Sequence, residues 1–389
     1  MKLFIIPSWY PTKLYPKSGS FFRERAQILH QSEFKIHVIN STIHPLQDIV
    51  KQSKILKNST EFIDKFGFST LQIEAINTAP KYENGAFSQQ KKNWNNLFQN
   101  AIEKYDVPDY VLIYSSIWAG VSLVETLQEM NIPMGVSEHM KEFILPNGFT
   151  KKQLDGIQRC YNHASFIAAT SKPLLEKMKS QFPDFQTKMT LIPNPVDTNL
   201  FKSNNNKPKK PITPFHFIAC GLFRHEKEFP NLINAFSQVA KTNDCLLTLV
   251  GEGQQENLLR KLVEKLNLEK RVTFSGYLPP IKLVEEMTKS HALVLSSSVE
   301  TFGMVIVEAM ACGLPVVATR CGGPEFTIHE KTGILVEPNN VNSLANGMVK
   351  MIIQYSNFDS NEIRNYTVEK FSTIAYANSI KNQFLKIKI

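Results

Sequence analysis

Few cysteines, no long apolar run and no concentration of charge mark this sequence, and each absence removes a class of protein. The five cysteines among 389 residues (Cys160, Cys220, Cys245, Cys312 and Cys321) are an odd set with no Cys-x-x-Cys spacing. That argues against a disulfide framework and reads as reduced, packed thiols in a cytoplasmic protein. No apolar stretch reaches the roughly 18 residues that span a bilayer, since even the segment 304–319 is broken by Glu308. The apolar run at Met1–Pro7 is too short for a signal peptide. Gly and Pro, 17 and 21, are too few and too scattered for a low-complexity chain.

Charge is mildly positive and evenly spread. Lys plus Arg number 44 and Asp plus Glu 35, a formal net charge of +9. Residues 1–195 hold 22 basic and 17 acidic side chains and the remainder 22 and 18, so neither half is a basic domain. No nucleic-acid partner is expected from such a distribution. The excess reads as solvated surface, with some attraction for anionic substrates.

What is present is a globular α/β pattern. Hydrophobic residues make up 42%, with 26 Phe, and the length suits two domains at about 150 residues each. Strand candidates in the first half are Leu3–Ile6, Lys35–Ile39, Tyr110–Tyr114, Met134–Ser137 and Phe166–Ala169. In the second half they are Phe215–Ala219, Leu246–Val250, Val272–Phe274, Ala292–Leu295, Pro315–Ala318 and Ile334–Val336. Continuous β-branched runs of this kind suit strands buried on both faces of a parallel sheet. Amphipathic segments lie between them; residues 258–266 put Leu258, Leu259, Leu262, Val263 and Leu266 on one face. The rhythm reads as two doubly wound, Rossmann-like α/β units. The polar stretch 203–211 is a linker, Pro193-Asn194-Pro195 ends the first unit, and Phe371, Ile374, Ala377, Ile380 and Phe384 form one helical face. The expected division is 1–195, a hinge and linker at 196–212, 213–370, and a helix at 371–389 packing across the junction.

The richest chemistry lies at 296–310. A buried strand, Ala292–Leu295, runs through a polar turn into a helix expected to start near Phe302. Free N–H groups at a helix start bind anions, and Gly303 allows close approach of a phosphate. Glu308, about five residues into that helix or roughly 7–8 Å along it, is placed for the hydroxyls of a ribose. Glu300 stands before the helix, either toward the group beyond the diphosphate or as a helix cap.

Glu300 and Glu308, followed by Ala311-Cys312-Gly313-Leu314-Pro315 and Gly322-Gly323-Pro324-Glu325, closely resemble the donor signature of family 4 glycosyltransferases of the GT-B fold. Thr332-Gly333-Ile334-Leu335-Val336, Val250-Gly251-Glu252-Gly253, Phe274-Ser275-Gly276-Tyr277 and Ile192-Pro193-Asn194-Pro195-Val196-Asp197 continue the likeness. Pro7-Ser8-Trp9-Tyr10-Pro11 with Gly19, and Ser137-Glu138-His139, resemble a bacterial polysaccharide branch.

The resemblance implies an N-terminal acceptor domain, a C-terminal nucleotide-sugar domain and a cleft between them. The implied reaction moves a sugar, with retention, from a nucleoside-diphosphate sugar, a UDP-sugar, to a saccharide or lipid-linked saccharide. No Asp-x-Asp occurs in the chain, so no metal or other cofactor is implied, and cationic side chains and helix N-termini stabilise the leaving diphosphate. Within Gly221-Leu222-Phe223-Arg224-His225-Glu226-Lys227, Lys227 fits the family pattern, but Leu222 stands where Arg is usual. Arg224 can substitute from a rearranged loop, or pair with Glu226 or Glu228. The implied catalytic set is His139, Lys227, Arg224 and Glu300. The implied donor set is Gly19, Gly251, Tyr277, Thr301, Phe302, Gly303, Met304, Val305 and Glu308.

Two alternatives remain at this level, an impaired nucleotide-sugar-binding subunit (favoured by Leu222) and a sugar-nucleotide epimerase on the same fold. The stripe Phe87, Trp94, Leu97, Phe98, Ala101, Ile102 and Tyr105, with Lys91 and Lys92, reads either as a face packed on the sheet or as a peripheral contact with the cytoplasmic membrane face.

Overall fold

The computed structural model describes residues 1–45, 59–77, 85–202 and 213–388. Contacts between Cα atoms divide it into two units. The first is Met1–Thr170, Leu175–Ile192 and Ala377–Ile389; the second is Ser171–Leu174 and Pro193–Tyr376. The division thus falls at 192/193 rather than at 195. The Val196 N–H donates to the Phe371 carbonyl at 2.7 Å, which ties this part of the chain into the second unit. The 203–211 linker lies outside the described residues.

The first unit is an eight-stranded sheet of β1 (Lys2–Pro7), β2 (Lys35–His44), β3 (Thr60–Ile63), β4 (Ser69–Ile76), β5 (Tyr110–Tyr114), β6 (Met134–Glu138), β7 (Phe166–Ala169) and β8 (Met189–Leu191). Its order is β3-β4-β2-β1-β5-β6-β7-β8, parallel except for β3. Leu3 through Ile6 and Val111 through Tyr114 are wholly buried, as helices on both faces require. Strand order reverses between β1 and β5, so their carboxyl ends open a crevice of the kind that takes ligands.

The helix Gly85–Tyr105 lays Trp94, Leu97, Phe98 and Ala101 into this core, each at most 1% exposed. Phe98 and Tyr105 meet the Phe4 ring edge-on. That face is therefore spent on the sheet and is not an interfacial anchor. No helix among the described residues is long and apolar enough to cross a membrane.

The second unit is a six-stranded parallel sheet of β9 (Phe215–Cys220), β10 (Cys245–Val250), β11 (Val272–Gly276), β12 (Ala292–Leu295), β13 (Val316–Thr319) and β14 (Gly333–Val336), in the order β11-β10-β9-β12-β13-β14. Its reversal lies between β9 and β12. The helix Phe229–Val239 buries Phe229, Leu232, Ile233, Phe236 and Val239 against it, at roughly 1.5–3 kcal/mol for each large side chain. In the helix Glu256–Lys265 only Leu259 and Val263 are fully buried, and Leu258 is exposed, narrower than the expected face.

The C-terminal segment differs from expectation. Phe371 ends the helix Ser360–Phe371, and a separate helix runs Thr373–Leu385. The break falls at Ser372, which bridges to Val196 and whose Oγ accepts the Ala375 N–H. Ile374 is 71% exposed, whereas Ile380 and Phe384 are wholly buried. Phe384 packs on Tyr110, Phe166 and Phe34, so the end of this helix completes the first unit's core. All five cysteines are free thiols.

Candidate functional site

In the second unit the carboxyl ends of β9, β10, β11 and β12 surround a cavity of about 480 Å³. Lys227, Arg224, Glu300 and Glu308 line it, as do Gly251, Tyr277 and the 301–305 turn. These residues are far apart in sequence; the parallel topology gathers them by ending every strand at the same edge.

Lys227 closes a 3-10 turn, His225–Lys227, and the Ser296 Oγ donates to its carbonyl at 2.8 Å. Its ammonium pairs with Glu300 Oε1, which also accepts the Ser297 Oγ at 2.9 Å. The two side chains are 26% and 12% exposed, so the pair is largely withdrawn from water. The Glu300 backbone is fixed on both sides: its N–H donates to the Cys321 carbonyl at 3.0 Å, and its carbonyl accepts the Gly323 N–H at 2.7 Å.

Glu300 does not cap the helix. The helix Met304–Ala311 starts two residues later than expected, with Gly303 as N-cap at φ 84° and no side-chain cap. Glu308 is its fifth residue, about 6 Å along the axis rather than 7–8 Å, and is half-buried on the cavity wall. Near it the Cys220 thiol is pushed well up, first by burial and then by the Glu308 charge. The Phe302 ring is 1% exposed and packs near Phe326 and Phe371, so its side chain is a core residue. Met304 and Val305 are half-buried, and Tyr277 stands 56% exposed at the rim. A Cβ on Gly251 would stand 1.9 Å from the Gly221 carbonyl oxygen, so only glycine lets β9 and β10 end this close together. Arg224 is exposed and makes no side-chain hydrogen bond or ion pair among the described residues; Leu222, 44% exposed, lines the same cavity.

Gly19 and His139 belong to the first unit. Gly19, φ 64°, precedes the helix Ser20–His30, and a Cβ there would stand 2.5 Å from the Trp9 carbonyl oxygen. Chain packing alone therefore demands glycine. His139 directly follows β6. Arg25 Nη1 lies 3.1 Å from its Nε2 and 3.3 Å from its Nδ1, and Ser137 Oγ lies 2.9 Å from Nε2. Loss of water and then the Arg25 charge hold the imidazole pKa well below its usual value. The ring is neutral at physiological pH.

Sequence reasoning missed Arg25. It is 3% exposed, with its guanidinium 5.2–5.5 Å from the centroids of Phe21, Phe22 and Tyr114. The signal was a charge on the Phe22, Ala26, Leu29 face of a helix, at a position that must be buried. Glu138 neither orients His139 nor faces outward. It is wholly buried, and its Oε1 accepts the Ser116 N–H at 3.2 Å and the Tyr161 hydroxyl at 3.0 Å. Burial raises its pKa.

The family described as "Glycosyl transferases group 1" matches residues 200–368. The N-acetyl-alpha-D-glucosaminyl L-malate synthase of Bacillus anthracis is 35% identical over 131 residues, 33% of this chain and 34% of that protein. A D-inositol 3-phosphate glycosyltransferase of Pseudarthrobacter chlorophenolicus is 29% identical over 251 residues, 59% of each chain. The aligned part of this chain thus spans about a third to three fifths of these curated relatives. Among solved structures, the sucrose-phosphate synthase of Thermosynechococcus elongatus superposes with a TM-score of 0.75 at 19% identity, covering 100% of this chain and 99% of that one. Anabaena Alr3699/HepE in complex with UDP gives 0.74 at 19% identity, covering 99% and 100%. The two sheets are those of the GT-B fold, and residues 200–368 are similar to the group 1 glycosyl transferases.

Proposed function

We propose that this protein is a retaining glycosyltransferase that moves a sugar from a nucleoside-diphosphate sugar to a saccharide or lipid-linked saccharide hydroxyl. The observation that carries the reading is the second-unit cavity, where Lys227, Glu300, Glu308 and the start of the helix Met304–Ala311 come together. The first N–H groups of that helix lack intrahelical acceptors and favour negative charge. Lys227 adds a cation to the lining of the same cavity. A diphosphate leaving from this cavity gains stabilisation as its charge grows, without a metal-binding Asp-x-Asp, because the donors are already fixed in place.

Glu308 suits a ribose diol, which a carboxylate accepts from both hydroxyls. Glu300 is assigned to the donor sugar, with Lys227 shared between it and the phosphates. By family resemblance His139 meets the transferred sugar, and its neutral ring is a hydrogen-bonding group rather than a cation. The complexes of HepE with UDP and with UDP-glucose favour UDP as the nucleotide.

A second reading, a nucleotide-sugar-binding subunit without turnover, rests on Leu222. Against it, Arg224 lines the same cavity from two residues on, with its guanidinium uncommitted among the described residues.

The test is turnover. Purified protein is incubated with UDP-sugars, alone and with saccharide acceptors, and products are followed by NMR for sugar release and anomeric configuration. Wild type is expected to release UDP and retain configuration, and folded Lys227→Ala and Glu308→Ala variants to be inactive. Full activity in both variants would overturn the assignment. UDP binding with no release of sugar under any condition would favour the binding subunit.

A further inference from the structure

Arg25 carries a full charge at 3% exposure, on the face of the helix Ser20–His30 that also buries Phe22, Ala26 and Leu29. Burying a guanidinium is costly unless the protein replaces the water it gives up. Part of that replacement is aromatic. Phe21, Phe22 and Tyr114 stand around it, with ring centroids 5.2, 5.4 and 5.5 Å from its Cζ. The same three rings pack against His139, at 6.3, 5.4 and 5.8 Å between centroids. Arg25 and His139 share one aromatic box.

Distance sets how the two meet. Arg25 Nη1 is 3.1 Å from Nε2 of His139 and 3.3 Å from Nδ1. A donor in the ring plane and nearly equidistant from both nitrogens would collide with the carbon between them, so Nη1 lies over the ring face. A cation is attracted to the face of a neutral ring and repelled by an imidazolium. The in-plane lobes of the nitrogens stay available, and Ser137 Oγ meets Nε2 at 2.9 Å. The groups packed on the ring are thus Phe21, Phe22 and Arg25 from the helix, Tyr114 from β5 and Ser137 from β6. The adjacent Glu138 turns its carboxylate to Ser116 and Tyr161. After loss of water, the Arg25 charge is what disfavours protonation of His139. The imidazole remains partly accessible, directly after β6.

We propose that Arg25 is a positioning residue for His139: it keeps the imidazole uncharged and fixes its orientation, so that the ring meets the transferred sugar as a neutral group with one donor and one acceptor. Protonation would turn the acceptor nitrogen into a second donor. A fixed cation over the ring takes that change out of the physiological pH range, and an apolar side chain filling the same box could not. The inference rests on the transferase reading in giving His139 a sugar to meet. The charge state of the ring does not depend on it.

Full-length protein carrying isotope-labelled histidine is titrated by NMR, with the His139 signal identified by its loss in His139→Gln. In wild type the ring is expected to stay neutral down to about pH 5.5, roughly a unit below the ordinary imidazole value. Arg25→Met should move the midpoint up by about one unit or more, and Arg25→Lys, which keeps the charge, should hold it below that of Met. Arg25→Gln carries the same expectation if the Met variant does not fold. Turnover of a UDP-sugar gives the second readout. Arg25→Met should lower kcat about tenfold or more, with a new loss toward acid pH, while KM for the UDP-sugar changes less than about threefold. In a His139→Gln background the same substitution should cost less than about twofold, because it acts through that ring. A wild-type ring that titrates at about 6.5, a midpoint unmoved by Arg25→Met or Arg25→Gln, or equal losses with and without His139 would overturn the proposal. Wild-type protein that turns over no UDP-sugar would count against the transferase reading, and the NMR titration would still decide whether Arg25 sets the charge of the ring.

Discussion

Replacing Lys227 by Met removes the cation from the second-unit cavity while keeping most of its volume. Two consequences add. A charge-assisted hydrogen bond to a phosphate oxygen, worth about 1.5–3 kcal/mol, is lost. The Glu300 carboxylate, 12% exposed, then keeps the Ser297 hydroxyl at 2.9 Å but no cation, and faces the incoming diphosphate as a like charge. At about 1.4 kcal/mol per tenfold, the first effect alone weakens UDP binding about 10- to 150-fold. The second is separable, because Glu300→Gln in the Lys227→Met background removes the repulsion and should recover part of the loss. Isothermal titration calorimetry with UDP on wild type, both single variants and the double variant closes the cycle. A Lys227→Met protein that melts like wild type and binds UDP within twofold of it would refute the reasoning. So would a double variant weaker than the product of the two single losses.

Other outcomes follow from burial and packing. Because burial raises the Glu138 pKa above 4.5 in the folded state, the folded protein holds this proton more tightly than the unfolded chain. Its contribution to stability is full below pH 4.5 and is lost as pH rises through the folded pKa. Glu138→Gln should therefore gain stability relative to wild type as pH increases above that value, seen as a widening gap in urea midpoints; a constant gap would contradict it. Phe384→Ala, at a wholly buried side chain, should cost about 3–5 kcal/mol in chemical denaturation, and a change below about 1 kcal/mol would show that the helix end does not complete the core.

The parallel core was legible because its strands are continuous apolar runs. Tyr110–Tyr114, Phe166–Ala169 and Ala292–Leu295 fall where the sequence puts them. The three missed strands lack that pattern: β3 is exposed along its length, β4 buries Thr70 and Gln72 among its apolar residues, and β8 is the short segment Met189–Leu191. The second-unit cavity was legible because its residues follow strand ends in a dense local motif. Arg25 was not, because aromatic rings from separate segments surround it and no spacing in the chain encodes that meeting.

The first unit takes its last core residues from the far end of the chain. Phe34, Tyr110 and Phe166 are synthesised long before Phe384, with the second unit's residues 193–376 between them. During translation, where domains tend to fold in order of emergence, the second sheet has all its strands on hand before the first unit can close. A nascent chain stopped short of Thr373 carries an unfilled aromatic seat on its leading unit. The order in which the protein is made is thus the reverse of the order in which its two cores can be finished.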